Sequence, residues 1–210
     1  MAEAASESSV SGGVDAALFQ AVGWLESGRR VALVAVMSSW HGAFTGNLLV
    51  VAEDGASAGS LSGGCVEGSA APQALRAIED GEQRLLSYAV TDGVAMREAG
   101  LTGGGSLELF LEPVDPDSRA HQLLRRVAMA RAEGQPVATV TDLVTGLKTL
   151  VYRHVVHGGF GLDEPVLCEI RRLLSAGRSV VFEPNDDARL FVHVFGGDFP
   201  DKCDAATIGS

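Results

Sequence analysis

Cysteine, aromatic residues, basic charge and long apolar runs are all scarce in this sequence, and each scarcity removes a class of protein. The 210 residues hold three cysteines, Cys65, Cys168 and Cys203. They are widely spaced and odd in number, so no disulfide framework follows and a reducing cytoplasm is the expected location. Lys and Arg total 16 against 27 Asp and Glu, a net charge of −11. A protein that tracks nucleic-acid phosphates needs a basic face, so no nucleic-acid partner is expected. No stretch reaches the roughly 18 uninterrupted apolar residues of a spanning helix, so no membrane association is expected either. Residues 1–13 are acidic and Ser-rich without an apolar run; they read as a disordered tail rather than a signal peptide. Residues 198–210 read as a second tail.

Aromatics make up 6% of the chain while apolar residues as a whole make up 46%. The core is therefore built from Val, Leu and Ala, as in α/β proteins with largely buried sheets. Val14 to Ser27 has apolar residues at helical spacing, and Gly28 stops it. Val31–Val36 and Asn47–Ala52 read as buried strands, the second followed by the turn signal Asp54-Gly55. A short strand leads to Gly59. Val66 to Ile78 reads as a helix, with a break or a late start expected at Pro72, since proline costs about 3 kcal/mol in a helix interior. Arg84–Val90 and Leu107–Glu112 complete the first set of strands, the last closed by Pro113. The second half follows the same plan: a helix over Ser118–Glu133, strands at Val137–Thr141 and Lys148–Tyr152, a helix over Pro165–Ala176, and strands at Ser179–Phe182 and Leu190–Phe195. Cys168 falls near the apolar side of that last helix and reads as core. Cys203 lies in the tail.

The order helix, strand, strand, helix, strand, strand thus occurs twice. Four local echoes keep the same order, among them GRRVALVAV with GQPVATVTD and LELFLEPV with ARLFVHVF. The expected fold is α/β, two related βαβ-type halves from an internal duplication, each with a mixed sheet and flanking helices. The expected boundaries are 14–115 for the first module and 116–197 for the second, degenerate copy. Two glycine-rich loops, Gly59–Cys65 and Gly100–Gly105, read as unique to the first copy, and loops carried by one copy alone are where a site is sought.

The candidate site is Gly59-Ser60-Leu61-Ser62-Gly63-Gly64-Cys65 at the start of a helix. Adjacent glycines permit positive φ and close approach to the backbone. The helix behind them points free N–H groups and a positive dipole end at the loop. Ser60 and Ser62 add hydroxyls, and Cys65 near that terminus reads as an acidified thiol. Glu67, in the first turn, reads as a capping residue or a base. The whole reads as a receptacle for an anion. The plain alternative is a strand-to-helix turn with Ser62 as N-cap and Cys65 as a small buried residue. Gly103, Gly104 and Gly105 form a second backbone nest. His41, in Ser38-Ser39-Trp40-His41-Gly42, is a candidate acid/base near neutrality, against the plainer reading of a solvated loop histidine. These three segments are expected to line one pocket. His154 and His157 lack a partner ligand, and no metal site is read from them.

These residues resemble the XdhC/CoxI family of xanthine dehydrogenase accessory proteins. The resemblance rests on Val31–Val36, Asn47–Val50, Asp54-Gly55, Gly59-Ser-Leu-Ser-Gly-Gly-Cys-Val-Glu67, Gly100-Leu101 with Gly104-Gly105, and Leu107–Val114. The string GSLSGGCVE is its specific part. The resemblance implies a cofactor-binding chaperone, more non-catalytic than enzymatic, that binds the molybdenum cofactor (molybdopterin) and assists sulfuration and insertion into a molybdenum hydroxylase. Its implied partners are that client enzyme and a cysteine desulfurase, with a homodimer as a further expectation. Ser60, Ser62, Gly63, Gly64, Cys65, Gly103, Gly104 and Gly105 would hold the cofactor. The departures are specific: Ser38–Gly42 lacks the family's proline and arginine, Gly103 stands where the family has cysteine, and the dinucleotide-binding-like domain of long members is expected to be absent or carried on another chain. The rival readings are a small-molecule enzyme using Cys65, His41 and Glu67, and a scaffold with a decayed site.

Overall fold

The computed structural model describes residues 13–39, 42, 44–64, 66–90, 105–185 and 188–196. The chain divides into two compact units, one ending at Ala128 and the other beginning at Met129. The first contains α1 (Val14–Glu26), β1 (Val31–Ser39), β2 (Leu48–Ala52), β3 (Ser57–Gly59), α2 (Glu67–Asp80), β4 (Arg84–Val90) and β5 (Gly105–Val114), while α3 (Arg119–Ala132) straddles the division. The second contains β6 (Val137–Asp142), β7 (Lys148–Val151), β8 (Val156–Gly158), α4 (Glu164–Ser175), β9 (Val180–Asn185) and β10 (Ala188–Phe195). Among the described residues no helix is long and apolar enough to cross a membrane.

In the first unit the strands lie in the order β3-β2-β1-β5-β4. Every ladder is antiparallel, not mixed as the alternation of helices and strands led one to expect. The reason is topological. Antiparallel neighbours alternate in direction, so β3 and β4 point the same way, and α2 connects them across the full width of the sheet. These two strands lie at opposite edges, so the parallel crossover between them makes no parallel ladder.

Helices cover the sheet on both faces. Helix α1 buries Ala17, Leu18, Ala21 and Leu25 against β1, β2 and β3. Helix α2 lays Ala70, Ala74 and Ile78 on Ala32, Val34, Val36, Leu49, Val51, Leu107, Leu109 and Leu111. Alanines one helical turn apart let α2 approach the sheet closely. A sheet covered on both faces asks for continuous apolar strands, which is why β1 reads VALVAV and why all five residues of β2 are buried.

Two proline expectations change. Pro72 neither breaks nor delays α2, which runs from Glu67 through it. The ring removes one bond, to the carbonyl of Gly68, and that residue is exposed, where water replaces the lost donor. Pro113 does not close β5, which extends to Val114 with Pro113 opposite Ala32. It lies beyond Leu111, the partner of the first residue of β4, so it interrupts no ladder on that side.

The second unit repeats the first strand for strand. Its order is β8-β7-β6-β10-β9, again antiparallel, with α4 burying Ile170, Leu173 and Leu174 against β6 and β10. Cys168 is exposed, not core: two residues before Ile170 on a helix is nearly the opposite face. Strand β8 is exposed along its length.

The duplication reaches further than the sequence echoes. Gly59 pairs with Leu49 as Gly158 pairs with Thr149. Ser60 N donates to Leu48 O at 3.1 Å, and Gly159 N to Lys148 O at 2.8 Å. Asn47 Nδ2 donates to Leu61 O at 2.9 Å, and Thr149 Oγ1 to Phe160 O at 3.0 Å. The segment Gly158–Asp163 is therefore a shorter counterpart of the Gly59–Val66 loop, which is not unique to the first copy.

At both loop entrances glycine is required. A Cβ on Gly59 would lie 2.1 Å from Leu48 O and 2.8 Å from Ala17 Cβ, with φ at +89°. One on Gly158 would lie 2.4 Å from Thr149 Oγ1. Gly59→Ala is expected to cost about 3 kcal/mol, combining overpacking with a strained backbone. Gly55→Ala, with φ +86° and open space around the new atom, is expected to cost only about 1 kcal/mol. Urea unfolding midpoints of the two variants check the difference.

Candidate functional site

The loop between β3 and α2 is organised by one side chain. Glu67 is the first residue of α2, and its carboxylate turns back into the loop that precedes it. Oε1 accepts from Ser60 Oγ at 2.8 Å, Leu61 N at 2.9 Å and Ser62 N at 2.9 Å. Oε2 accepts from Ser62 Oγ at 3.3 Å, Gly64 N at 2.9 Å and Val66 N at 3.1 Å. Ser60 Oγ in turn accepts from Gly63 N at 3.1 Å. An ionised carboxylate offers about four lone-pair sites, and six donors saturate them.

Converging amides at a helix N-terminus do form an anion cradle here, as the sequence predicts. The anion in it is the protein's own. Positive φ at Gly63 (76°) and Gly64 (109°) turns the backbone so that successive N–H groups reach inward, a conformation glycine adopts without strain. Leu61 is fully buried and anchors the loop to the core below α2. Asn47, just before β2, pins the Leu61 carbonyl. Sequence reading gave Asn47 no role; an amide side chain opening an otherwise apolar strand was the available signal.

Electrostatics follow from this geometry. Half-burial pushes the Glu67 carboxyl upward, but the Ser62 and Leu61 amides and the Ser60 hydroxyl outweigh it and hold the pKa at about 2. A carboxylate that stays ionised down to that pH and has no free lone pair does not accept a proton near neutrality. Of the two roles read from the sequence, capping and base, the geometry supports capping.

The equivalent residue in the second unit makes the contrast. Glu164 is also the first residue of its helix, yet its side chain is 79% exposed and pairs with Arg171 at 3.4 Å. The shorter Gly158–Asp163 loop is not wrapped around it.

Of the other candidates, Ser60 is exposed and Ser62 buried, and both hydroxyls point to Glu67. Gly63 and Gly64 are exposed with nothing within 4 Å of a notional Cβ. Gly105 opens β5 opposite Val90. His41, Cys65, Gly103 and Gly104 lie outside the described residues, as does most of the expected three-sided pocket. From the stretch around His41, Ser38 Oγ donates to Glu108 Oε2 at 2.9 Å, and Ser39 Oγ accepts from Phe44 N at 3.1 Å. His157 packs edge-on against Tyr152, ring centres 5.9 Å apart. Among the described residues no group of three or more His, Cys, Asp or Glu is placed to hold a metal.

The sequence of residues 24–89, which includes the whole Gly59–Glu67 loop, matches the model of the XdhC and CoxI family. The likeness to that family is confined to this segment of the chain. No curated protein matches it. A solved structure from Bacillus halodurans, described as a xanthine dehydrogenase, is 22% identical with a TM-score of 0.56, covering 84% of this chain and 52% of that one. The chain thus spans about half the length of that structure and shares its fold. The XdhC/CoxI family is associated with the maturation of xanthine dehydrogenase and related molybdenum hydroxylases.

The latch has a measurable signature. Glu67→Gln replaces one acceptor oxygen by an amide that opposes N–H donors, and is expected to cost about 2 kcal/mol through unsatisfied groups. Because the folded pKa is depressed to about 2 from 4.5, the wild-type advantage is full above pH 4.5 and is lost as pH falls toward 2. Denaturant titrations of both proteins across that range check the sign.

Proposed function

We propose that this chain is a cytoplasmic accessory protein that binds the molybdenum cofactor and assists its sulfuration and insertion into a molybdenum hydroxylase. The observation that carries the reading is the Gly59–Glu67 loop: the specific part of the family motif is a turn tied together by Glu67 and exposed at Ser60, Gly63 and Gly64. Cys65, between two residues whose amides are held by the same carboxylate oxygen, is the group offered to the cofactor's metal end. His41, Gly103 and Gly104 belong to the same proposed site. The client hydroxylase and a cysteine desulfurase are the proposed partners, and a homodimer the proposed assembly.

The cofactor is a pterin carrying a phosphate and a dithiolene, and the described residues fit its parts unequally. The amides that would receive a phosphate are already taken by Glu67. The phosphate end therefore does not fit this loop as it stands. The rival reading, an enzyme using Glu67 as a base, is disfavoured by the same bonds, which keep that carboxylate ionised and saturated.

The test is equilibrium stabilisation by the intact cofactor. A ligand that binds only the folded chain raises its stability by RT ln(1 + [L]/Kd), about 2.7 kcal/mol at a hundredfold excess over Kd. Molybdopterin released from a molybdenum enzyme is expected to raise the melting temperature of the full chain. Cys65→Ala is expected to reduce that shift while leaving the ligand-free melting temperature unchanged. No shift with wild type overturns the reading; an undiminished shift in Cys65→Ala removes the thiol from it.

A further inference from the structure

The latch has a consequence for what the loop recognises. A trans peptide places its N–H and C=O on opposite sides, and no peptide bond among the described residues is cis. The N–H groups of Leu61 and Gly64 point inward to Glu67. The carbonyl oxygens of the same peptide units, on Ser60 and Gly63, therefore point away from it. Ser60 and Gly63 are both exposed, and neither carbonyl receives a hydrogen bond from a described residue. The neighbouring outward carbonyl, that of Leu61, is already taken by Asn47. Among the described residues, nothing lies within 4 Å of a Cβ built on Gly63 or Gly64. Among the described residues, the outer surface of the loop thus forms a ledge offering the Ser60 and Gly63 carbonyls as acceptors, with the Glu67 carboxylate behind them.

We infer that this loop recognises an N–H-donating planar heterocycle, and that it does so with carbonyl oxygens rather than with the amides its glycine-rich sequence advertises. The inference rests on the cofactor reading above and deepens it. The ledge takes the amino and ring N–H edge of the pterin, and the phosphate is held elsewhere. A half-buried carboxylate behind the ledge repels an oxyanion, whereas hydrogen bonds accepted by peptide units whose own N–H groups are bound to a charge are strengthened. Gly63 and Gly64 let a flat ring lie against the backbone, where any side chain would lift it. In the second unit the shorter Gly158–Asp163 segment connects the equivalent strand and helix with Glu164 turned to solvent, so a strand-to-helix connection there is made without an inward carboxylate.

The experiment separates this inference from the reading beneath it. Hydroxymethylpterin, which has the ring but neither phosphate nor metal, is titrated into the full chain and followed by its fluorescence. Saturable binding is expected, with no competition from millimolar inorganic phosphate. An analogue whose exocyclic nitrogen is dimethylated, and so donates nothing, is expected to bind about tenfold more weakly. Gly63→Asn keeps a residue that tolerates positive φ but covers the ledge. It is expected to weaken the parent pterin to a similar degree at an unchanged urea midpoint. Competition by phosphate, equal affinity for the dimethylated ring, or full-strength pterin binding by Gly63→Asn each overturns the inference. So does intact molybdopterin binding where the phosphate-free ring does not; that result leaves the cofactor reading standing. If neither molecule binds, both fall together.

Discussion

One carboxylate determines what the candidate site is. Without the Glu67 side chain, the stretch from Ser60 to Val66 would present four backbone N–H groups and two hydroxyls to solvent at the positive end of a helix, an arrangement that attracts any available anion. With it, those donors are satisfied internally and the helix end carries a compensating charge. The loop gains definition and gives up an affinity. The saturated bonding explains the low pKa, the conformation of the two exposed glycines and the direction in which free carbonyls face. Each of these would change together if the side chain were shortened or neutralised.

The two units show how much of this is scaffold and how much is site. Both have the same strand order, a helix packed on the central strands after the third strand, a glycine with no room for a side chain at the end of that strand, and a side-chain bond to the carbonyl two residues later. Those features recur because the fold requires them. The longer loop and the inward-turned glutamate occur in the first unit alone. A feature that varies while its supports stay fixed is the one left free to take on binding, and the family segment covers this unit and not the other.

Much of the fold was readable in the sequence because burial on both faces writes an unambiguous pattern. The apolar runs of β1 and β2 and the helical spacing of α1 and α4 sit where the residues placed them. Strand direction was not readable: an alternation of helices and strands is compatible with parallel neighbours, and only the long reach of α2 from edge to edge makes every ladder antiparallel. Strand β8 escaped notice because Val156-His157-Gly158 is an exposed edge with no burial pattern to show. At the site, the sequence correctly marked a turn rich in donors beside a glutamate. It left open whether Glu67 capped the loop or served as a base, since that depends on which way a flexible side chain turns. The shortened counterpart in the second unit was hidden by its different residues, being recognisable only through its backbone bonds.

The position of β5 carries a last implication. The central strand β1 is paired on one side by β2, which follows it closely, and on the other by β5, which arrives only after α2 and β4 have been made. The recognisable family segment, residues 24–89, ends before β5 and begins inside α1. It is therefore a unit of inheritance but not of folding. Expressed alone it would leave the apolar middle of its sheet with an open edge, and open edges of that kind seek strands in other molecules. The smallest piece that closes on itself extends at least to Val114.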